Sequence, residues 1–191
     1  RRLSRRSRPN HVKLYTIGHG ALQSDVFATT LRAAGVAVAA DVRRFAGSRR
    51  HPQFGAAEMR RWLGESGIAY RALPDLGGRR TPLPDSPNAG LRNAGFRGYA
   101  DSMATPAFRA AFDELLALAR EQPTAIFCAE TLWWRCHRRL IADAAVLLAG
   151  AEVVHLTPAT RANHVLTAGV VLAGDTLRYP ASVGRQADCI I

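Results

Sequence analysis

The chemically most reactive stretch of the chain is CAETLWWRCHRR, which begins at residue 128. It brings two thiols, a carboxylate, an imidazole and a guanidinium close together along the chain. A thiolate can attack an electrophile, a carboxylate or an imidazole can carry a proton, and a guanidinium can hold an anion. We therefore predict catalytic roles for Cys128, Glu130 and His137, and substrate or anion binding by Cys136 and Arg138.

The spacing of Cys128 and Glu130 places their side chains on the same side if the strand that carries them continues. A neighbouring carboxylate raises the pKa of a thiol, so activation of Cys128 would have to come from His137, Arg138 or a helix N-terminus. The alternative is that this cysteine is a small buried apolar residue. The carboxylate favours function, because an acidic side chain needs a reason to occupy such an apolar setting.

A metal site is the competing interpretation of the same stretch. Cys128, Cys136 and His137 are ligand types that suit zinc, with Glu130 or His19 as a further ligand. Their spacing matches none of the usual paired Cys-x-x-Cys or His-x-x-x-His arrangements, and adjacent Cys and His residues seldom reach one ion. We predict no metal ligands, and the sequence leaves the cofactor open.

The flanking residues predict how the reactive stretch is positioned. The apolar run TAIF precedes it, and apolar residues at helical spacing follow it, which indicates a strand end and then a helix whose first turn holds Cys136 and His137. Arg138 and Arg139 in that turn oppose the helix dipole by about 0.3–1 kcal/mol each, and an anion bound at the helix start would offset this. The sequence therefore predicts an anionic ligand, a phosphate or a carboxylate.

The remainder of the chain alternates strand and helix patterns. Helical crossovers between strands indicate a single α/β domain with a mainly parallel five-stranded sheet flanked by helices. Ser24 is the expected N-cap of the first helix, Gly35 ends it, and a proline opens the helix from Pro106. The five predicted strands are KLYTI, VAVAADVR, IAYRALP, TAIF and EVVHLTP.

Polar residues begin where the predicted strands end. His19 lies between two glycines after the first strand, and Asp41 and Arg43 end the second. Because the carboxyl ends of parallel strands meet at one edge of a sheet, a single crevice there could collect them with Cys128 and Glu130. We predict that His19, Asp41 and Arg43 contribute to anion or substrate binding, although His19 could equally be a turn residue bonded to local backbone.

Composition bounds the class of protein. The chain has 191 residues and a formal net charge of +11, with arginine as nearly all of its basic residues. An anionic small molecule or nucleic acid is the expected partner, and a solvated basic surface from an arginine-rich composition is the alternative. We predict a disordered basic arm over 1–12, the α/β domain over 13–180 and a tail over 181–191. Three cysteines and no apolar run long enough for a membrane span favour a cytoplasmic location.

Two loops and a tryptophan pair could contact such a partner. The loop RFAGSRRHPQF interleaves arginine with phenylalanine, and the long stretch from Asp75 to Gly95 is rich in glycine and proline, with Arg79 and Arg80 beside two glycines. Either loop could hold a phosphate or be an ordinary surface loop. Trp133 and Trp134 are expected in the core, with a stacking platform as the alternative.

Six segments of the chain occur in the same order in a known family. They are YTIGHG, DVRRF with HPQF, YRALPDLGGRR, FRGYADSM, the FCAE and CHRR block, and VVHLTP. On these motifs the chain resembles the family called domain of unknown function 488 from about Leu14 to Pro180. The resemblance implies an α/β fold and a shared pocket built from Cys128, Glu130, Cys136, His137 and Arg138 with Asp41 and Arg43, and it implies no settled reaction.

Two hypotheses for function follow. The first is an enzyme that uses Cys128 as nucleophile and Glu130 as proton carrier on an anionic substrate, with a nucleotide or nucleic acid fitting the charge best. The second is a non-catalytic module that binds nucleic acid or an anionic small molecule, with the cysteines as packing residues. The sequence carries no signal of oligomeric state.

Overall fold

The computed structural model describes residues 12–47 and 51–181. Residues 1–11 of the predicted basic arm, residues 182–191 of the predicted tail with Cys189, and residues 48–50 of the first loop lie outside the described residues. The domain boundaries at 12 and 181 therefore stay predictions.

The described chain folds as one α/β domain around a six-stranded sheet with strand order β3-β2-β4-β1-β5-β6. The first five strands are parallel; one helix precedes each of β2, β3 and β5, and two helices precede β4. The elements in chain order are β1 Lys13–Gly18, α1 Ser24–Ala33, β2 Val38–Asp41, α2 Ala56–Glu65, β3 Ala69–Ala72, α3 Ala94–Ser102, α4 Pro106–Glu121, β4 Thr124–Cys128, α5 Arg138–Ala149, β5 Glu152–Leu156, β6 Arg161–Asn163, β7 Val171–Ala173 and β8 Thr176–Arg178.

All five predicted strands are present, but the prediction of a five-stranded sheet is wrong. β6 pairs with β5 in the antiparallel direction, and β7 and β8 form a separate two-stranded hairpin. Each of these three strands has only three residues, and β6 is exposed throughout. Strands of this length are too short to show an alternation of apolar and polar residues. The turn Gly174-Asp175 between β7 and β8 is typical of a hairpin and was the available signal.

Helices cover both faces of the sheet. α1 and α2 pack on one face through Phe27, Leu31 and Trp62, whereas α3, α4 and α5 pack on the other. β4 serves both cores, because Phe127 belongs to the first cluster and Cys128 to the second. Burial on both faces explains why the central strands read as continuous apolar runs.

Two helix starts show how far local signals reach. Thr105 caps α4 by accepting a hydrogen bond from the backbone N–H of Phe108, and a proline follows at the first helical position, as predicted. The prediction that Ser24 caps α1 is wrong, because the cap position is Gln23 and Ser24 is the first helical residue. No helix of the described chain is long and apolar enough to cross a membrane.

β1 and β4 are neighbours at the centre of the sheet, and their outgoing connections diverge. α1 carries the chain from β1 to β2 over one face, whereas α5 carries it from β4 to β5 over the other. The loops that follow the two strands therefore separate and leave a crevice at the carboxyl edge. This is the topological switch point at which open α/β sheets bind their ligands.

Candidate functional site

Two cysteines meet at the carboxyl end of β4. The sulfur atoms of Cys128, the last residue of the strand, and Cys136 lie 2.8 Å apart. Both residues are buried, with exposed fractions of 3% and 4%. Cys136 lies in extended backbone immediately before α5 and His137 occupies the helix cap position, so the prediction that both stand in the first turn is wrong.

Arg138, the first residue of α5, lies against this thiol pair and is only 1% exposed. Its Nε donates to Cys136 Sγ at 3.5 Å, and its Nη2 donates to the carbonyl oxygens of Glu130 at 2.6 Å and Thr131 at 3.3 Å. The guanidinium forms no ion pair with a carboxylate among the described residues. A buried charge needs a counter-charge, and the thiolate of Cys136 is the group in position to supply it.

The two thiols differ in acidity. Burial opposes ionisation of Cys136, but hydrogen bonds from Cys128 and His137 and the charges of His137 and Arg138 outweigh it, so its pKa lies well below that of a free thiol. Burial and hydrogen-bond donation to Cys136 raise the pKa of Cys128. Cys136 is therefore the thiolate of the pair, and Cys128 is the thiol that donates to it.

Backbone groups also point at both sulfur atoms. The N–H of Glu130 donates to Cys128 Sγ at 3.3 Å, and the N–H of Arg138 donates to Cys136 Sγ at 3.5 Å. Donors of this kind stabilise negative charge on sulfur without adding a charged group of their own. A negative charge on Cys136 would thus be stabilised by the backbone as well as by a guanidinium.

The imidazole of His137 is held from two sides. Its Nε2 lies 2.8 Å from the carbonyl oxygen of Val42, so this nitrogen carries a proton and donates. Its Nδ1 lies 3.5 Å from Cys136 Sγ. A Cβ on Gly78 would come within 3.0 Å of Nδ1, so the glycine lets the loop after β3 pack directly over the ring. His137 is therefore fixed in orientation beside the thiolate.

Three atoms of this cluster could also hold a metal ion. The sulfur atoms of Cys128 and Cys136 and a ring nitrogen of His137 lie within 4.8 Å of one another. The adjacent Cys and His thus reach a common point, contrary to the expectation from their spacing. An ion bound in tetrahedral geometry at roughly 2.3 Å would hold two sulfurs about 3.8 Å apart. The thiols would have to separate by about 1 Å to accept one, so the arrangement in the structure is that of a hydrogen-bonded thiol pair.

Asp41 and Arg43 form a second buried centre under the crevice. The Nε and Nη2 of Arg43 donate to the two carboxylate oxygens of Asp41 at 2.8 and 2.6 Å, and its Nη1 donates to the carbonyl of Phe54 at 2.8 Å. The hydroxyl of Tyr70 donates to the same carboxylate at 2.8 Å. This carboxylate and this guanidinium satisfy each other, and Arg43 has little capacity left for a bound anion.

His19 lies in the wall between the two centres. Its Nδ1 lies 2.9 Å from the carbonyl oxygen of Gly20 and its Nε2 lies 3.3 Å from Arg43 Nη1, which assigns the proton to Nδ1. Its ring stacks on Phe54 at 4.1 Å. Burial lowers the pKa of His19 to about 4, so the residue is neutral near pH 7. It presents an acceptor to Arg43 and adds no positive charge to the crevice.

The glycines beside His19 are needed for a contact within the chain. A Cβ on Gly18 would lie 1.9 Å from the carbonyl oxygen of Glu130, and one on Gly20 would lie 2.2 Å from Oγ1 of Thr131. The backbone N–H groups of His19 and Gly20 donate to the carbonyls of Cys128 and Ala129. This close approach brings the loop after β1 against the loop that carries the cysteines.

The sequence suggested that Glu130 lies in an apolar setting, and this prediction is wrong. The strand ends at Cys128, and the side chain of Glu130 is exposed. Its carboxylate forms no hydrogen bond or ion pair with the part of the chain that the structure describes. Burial therefore gives no reason to assign this carboxylate a function. Its position on the crevice wall is the observation that still favours one.

The crevice is a pocket of about 840 Å³ whose floor is formed by the two cysteines and His137. His19, Arg43 and Glu130 contribute to its walls, whereas Asp41 and Arg138 lie behind the lining. Six of the eight predicted site residues thus reach one pocket. The other two act through Arg43 and Cys136, which they contact directly.

The predicted site residues did not include several basic and aromatic residues that line this pocket. Arg44 and Phe45 extend from the loop after β2, and Arg135 lies in the short 3-10 helix before Cys136. Arg79 also lines it, and it is the one residue other than glycine with a positive φ, at 59°, among residues 12–47 and 51–181. Backbone strain of this kind concentrates at functional sites. The two glycines before Arg79 were the available signal.

Comparison with protein families identifies the relationship. The family model described as Domain of unknown function DUF488 matches residues 23–145, which is more than half of the chain. The chain belongs to this DUF488 family. The matched segment contains both cysteines, Glu130, His137 and the Asp41–Arg43 pair, while His19 lies before it. Neither the curated proteins nor the solved structures contain a significant match to the chain.

Proposed function

We propose that this DUF488 protein is a cysteine-dependent enzyme that acts on an anionic substrate, with Cys136 as the nucleophile. The observation that carries the proposal is the buried Arg138, whose guanidinium contacts Cys136 Sγ at 3.5 Å and has no carboxylate partner among the described residues. A thiolate held at the floor of an open pocket is a primed nucleophile. This assigns the attack to Cys136, whereas the sequence favoured Cys128.

The proposed reaction is a nucleophilic substitution in two steps. The Cys136 thiolate forms a bond to an electrophilic atom of the substrate, and the leaving group departs with the bonding electrons, takes a proton from water and leaves a hydroxide ion in solution. A second water then attacks the adduct, its oxygen bonds to the electrophilic atom, and the bond to sulfur breaks to return the thiolate. Glu130, exposed on the pocket wall, accepts the proton of that water and releases it to the hydroxide, which restores the starting state.

The remaining residues position the nucleophile and the substrate. Cys128 donates a hydrogen bond to Cys136, and His137 is anchored to the carbonyl of Val42 so that Nδ1 faces the same sulfur. Arg79 and Arg135 line the pocket with exposed guanidiniums, and they attract the anion. Arg43 is occupied by Asp41, and we propose for it a structural role in the wall.

A non-catalytic module that binds an anion in the same pocket is the second candidate. The observation in its favour is the burial of both thiols, which are 3% and 4% exposed. Buried free cysteines are often inert packing residues. In that case the pocket would bind anions in a salt-dependent manner, and the sulfur atoms would not react.

Alkylation of the intact protein separates the two candidates. Iodoacetamide, followed by mass spectrometry between pH 6 and 9, should modify Cys136 faster than Cys189, with the largest preference at the lowest pH. Anionic iodoacetate should gain on iodoacetamide at Cys136 relative to Cys189, and inorganic phosphate should slow the reaction at Cys136.

The control variants are Cys136→Ala, which should abolish the fast labelling, and Cys128→Ala, which should retain it but move it to higher pH. Faster modification of Cys189 than of Cys136 at every pH would sink the catalytic proposal and leave the binding module. Metal analysis of the purified protein is a necessary companion, because a bound ion would also protect both thiols.

A further inference from the structure

The catalytic pocket continues into a second depression. This neighbouring depression has a volume of about 500 Å³ and shares Asn93 and Phe96 with the pocket above the cysteines. Trp134, Arg92 and Arg139 also line it. The two together form one groove along the carboxyl edge of the sheet, which we call the extended groove. It is much larger than a site for a single phosphate requires.

The extended groove is positively charged without local compensation. Its lining contains one carboxylate, Glu130, among the residues that the structure describes. Apart from Arg43, its arginines form no ion pairs there, whereas Arg61 and Arg109 elsewhere on the surface pair with acidic side chains. The arginines of the groove other than Arg43 are Arg44, Arg79, Arg92, Arg135 and Arg139.

One of these arginines is partly buried and still lacks an acceptor. The Nε of Arg139 is buried and has no hydrogen-bond partner within the described chain. Its guanidinium lies 4.9 Å above the ring of Phe96, which fixes its orientation at the junction of the two depressions. The protein therefore leaves part of the hydrogen-bonding capacity of this guanidinium unused at the edge of the groove.

Aromatic rings stand along the same groove. Phe45 at one end is 64% exposed and Trp134 at the other is 48% exposed. Trp134 packs edge-on against Trp133 at 5.6 Å, and Trp133 in turn stacks on His155 at 3.9 Å. Trp134 is therefore an exposed ring that Trp133 supports from one side. The prediction that it lies in the core is wrong, and the alternative of a stacking platform fits its position. Exposed aromatic surface beside unpaired arginines is the combination that binds single-stranded nucleic acid.

We infer that the extended groove binds single-stranded nucleic acid, with bases stacked on Phe45 and Trp134 and phosphates held by the arginines. A duplex does not fit this chemistry, because its bases are already stacked on each other and cannot lie on the aromatic rings. The inference deepens the proposed function by naming its substrate class, and it rests on that function only for the reaction at Cys136. Binding itself can be measured without any reaction.

Fluorescence anisotropy with the full-length protein tests the inference. The probes are labelled 12-nucleotide strands of oligo-dT and oligo-U, a 12-base-pair duplex and a labelled mononucleotide. Both single strands, or one of them, should bind more tightly than the duplex and the mononucleotide. Trp134→Ala should weaken single-strand binding on the order of tenfold and leave duplex binding unchanged. Arg135→Ala should weaken it and reduce its dependence on salt.

The matched controls are Arg178→Ala and Val171→Ala, which remove an exposed arginine and an exposed apolar side chain outside the groove. The basic arm is the same in every variant, so the difference between Arg135→Ala and Arg178→Ala isolates the groove. Duplex binding as tight as single-strand binding, or a Trp134→Ala protein that binds like the wild type, would overturn the inference. Equal affinity for the mononucleotide would replace it with a small-anion site.

The outcomes distinguish this inference from the proposed function. Single-strand binding by the groove and alkylation of Cys136 are measured separately on the wild-type protein, so either can fail without the other. Single-strand binding with an unreactive Cys136 would support the binding inference and overturn the catalytic proposal. A reactive, phosphate-protected Cys136 in a protein that does not bind the strand would do the reverse.

Discussion

Two buried arginines lie on either side of the crevice, and they are balanced in different ways. Arg43 is held by both carboxylate oxygens of Asp41, at 2.6 and 2.8 Å, with Tyr70 completing the carboxylate. Arg138 is more deeply buried, yet it contacts carbonyl oxygens and a sulfur atom and no carboxylate among the described residues. Arg43 and the carboxylate of Asp41 form a structural ion pair. Arg138 has the sulfur of Cys136 as its possible counter-ion, and its charge therefore favours ionisation of that thiol.

The largest expected effect comes from breaking the carboxylate pair. Arg43→Met leaves Asp41 buried without its partner, and we expect a loss of about 3–5 kcal/mol in the free energy of unfolding. Urea unfolding measures it. The control is Arg61→Met, whose side chain is 59% exposed beside two glutamates and whose loss should leave the free energy of unfolding nearly unchanged. Equal losses in the two variants would show that the buried pair contributes no more than a surface pair.

Removal of the second arginine should change reactivity more than stability. In Arg138→Met the thiol of Cys136 can take up a proton, so the variant avoids a buried uncompensated charge. We expect alkylation of Cys136 near pH 7 to slow on the order of tenfold and its pH profile to move to higher pH, because the guanidinium lowers the pKa of this thiol. An unchanged profile would mean that the guanidinium is not the counter-charge of the thiolate.

A smaller effect is expected for His19, which contacts the carboxylate-paired arginine. Burial lowers the pKa of His19 to about 4, so the unfolded chain takes up a proton in a pH range where the folded one does not. Stability is therefore lost as the pH falls from about 6.5 to 4. In His19→Gln, the stability lost as the pH falls should be smaller than in the wild type by about 1–2 kcal/mol, after allowance for solvent screening.

Urea unfolding at pH 7 and pH 4.5 on both proteins measures the His19 contribution. The pKa of His155 is lowered by burial to about 3, but this residue is present in both proteins and its contribution cancels. If the two proteins lose the same stability between these pH values, His19 does not hold a depressed pKa.

The smallest effect is expected for Glu130, whose backbone contacts Arg138 while its side chain does not. The carbonyl of this residue accepts from Arg138 at 2.6 Å, but the carboxylate is exposed. Glu130→Gln should therefore change the free energy of unfolding by less than about 0.5 kcal/mol, and urea unfolding is again the measurement. A larger loss would indicate that the carboxylate takes part in balancing Arg138.

The sequence by itself determined the elements and the neighbourhood of the site. Apolar runs buried on both faces identified the five parallel strands, and proline and glycine signals marked helix ends. Since the ends of parallel strands meet at one edge, the order of strands and helices along the chain was enough to assign the residues at those ends to one crevice. The three-residue strands β6, β7 and β8 were missed because they are too short to show a periodic pattern.

Only the tertiary structure decided the roles within the site. Charge pairing depends on which side chains meet across the fold. The sequence could therefore not show that Arg43 forms an ion pair with Asp41, whereas Arg138 contacts the sulfur of Cys136. Nor could it show that the strand ends at Cys128 and turns Glu130 outward. The pKa of a buried thiol is set by such long-range neighbours, which is why the sequence favoured Cys128 as the nucleophile and we propose Cys136.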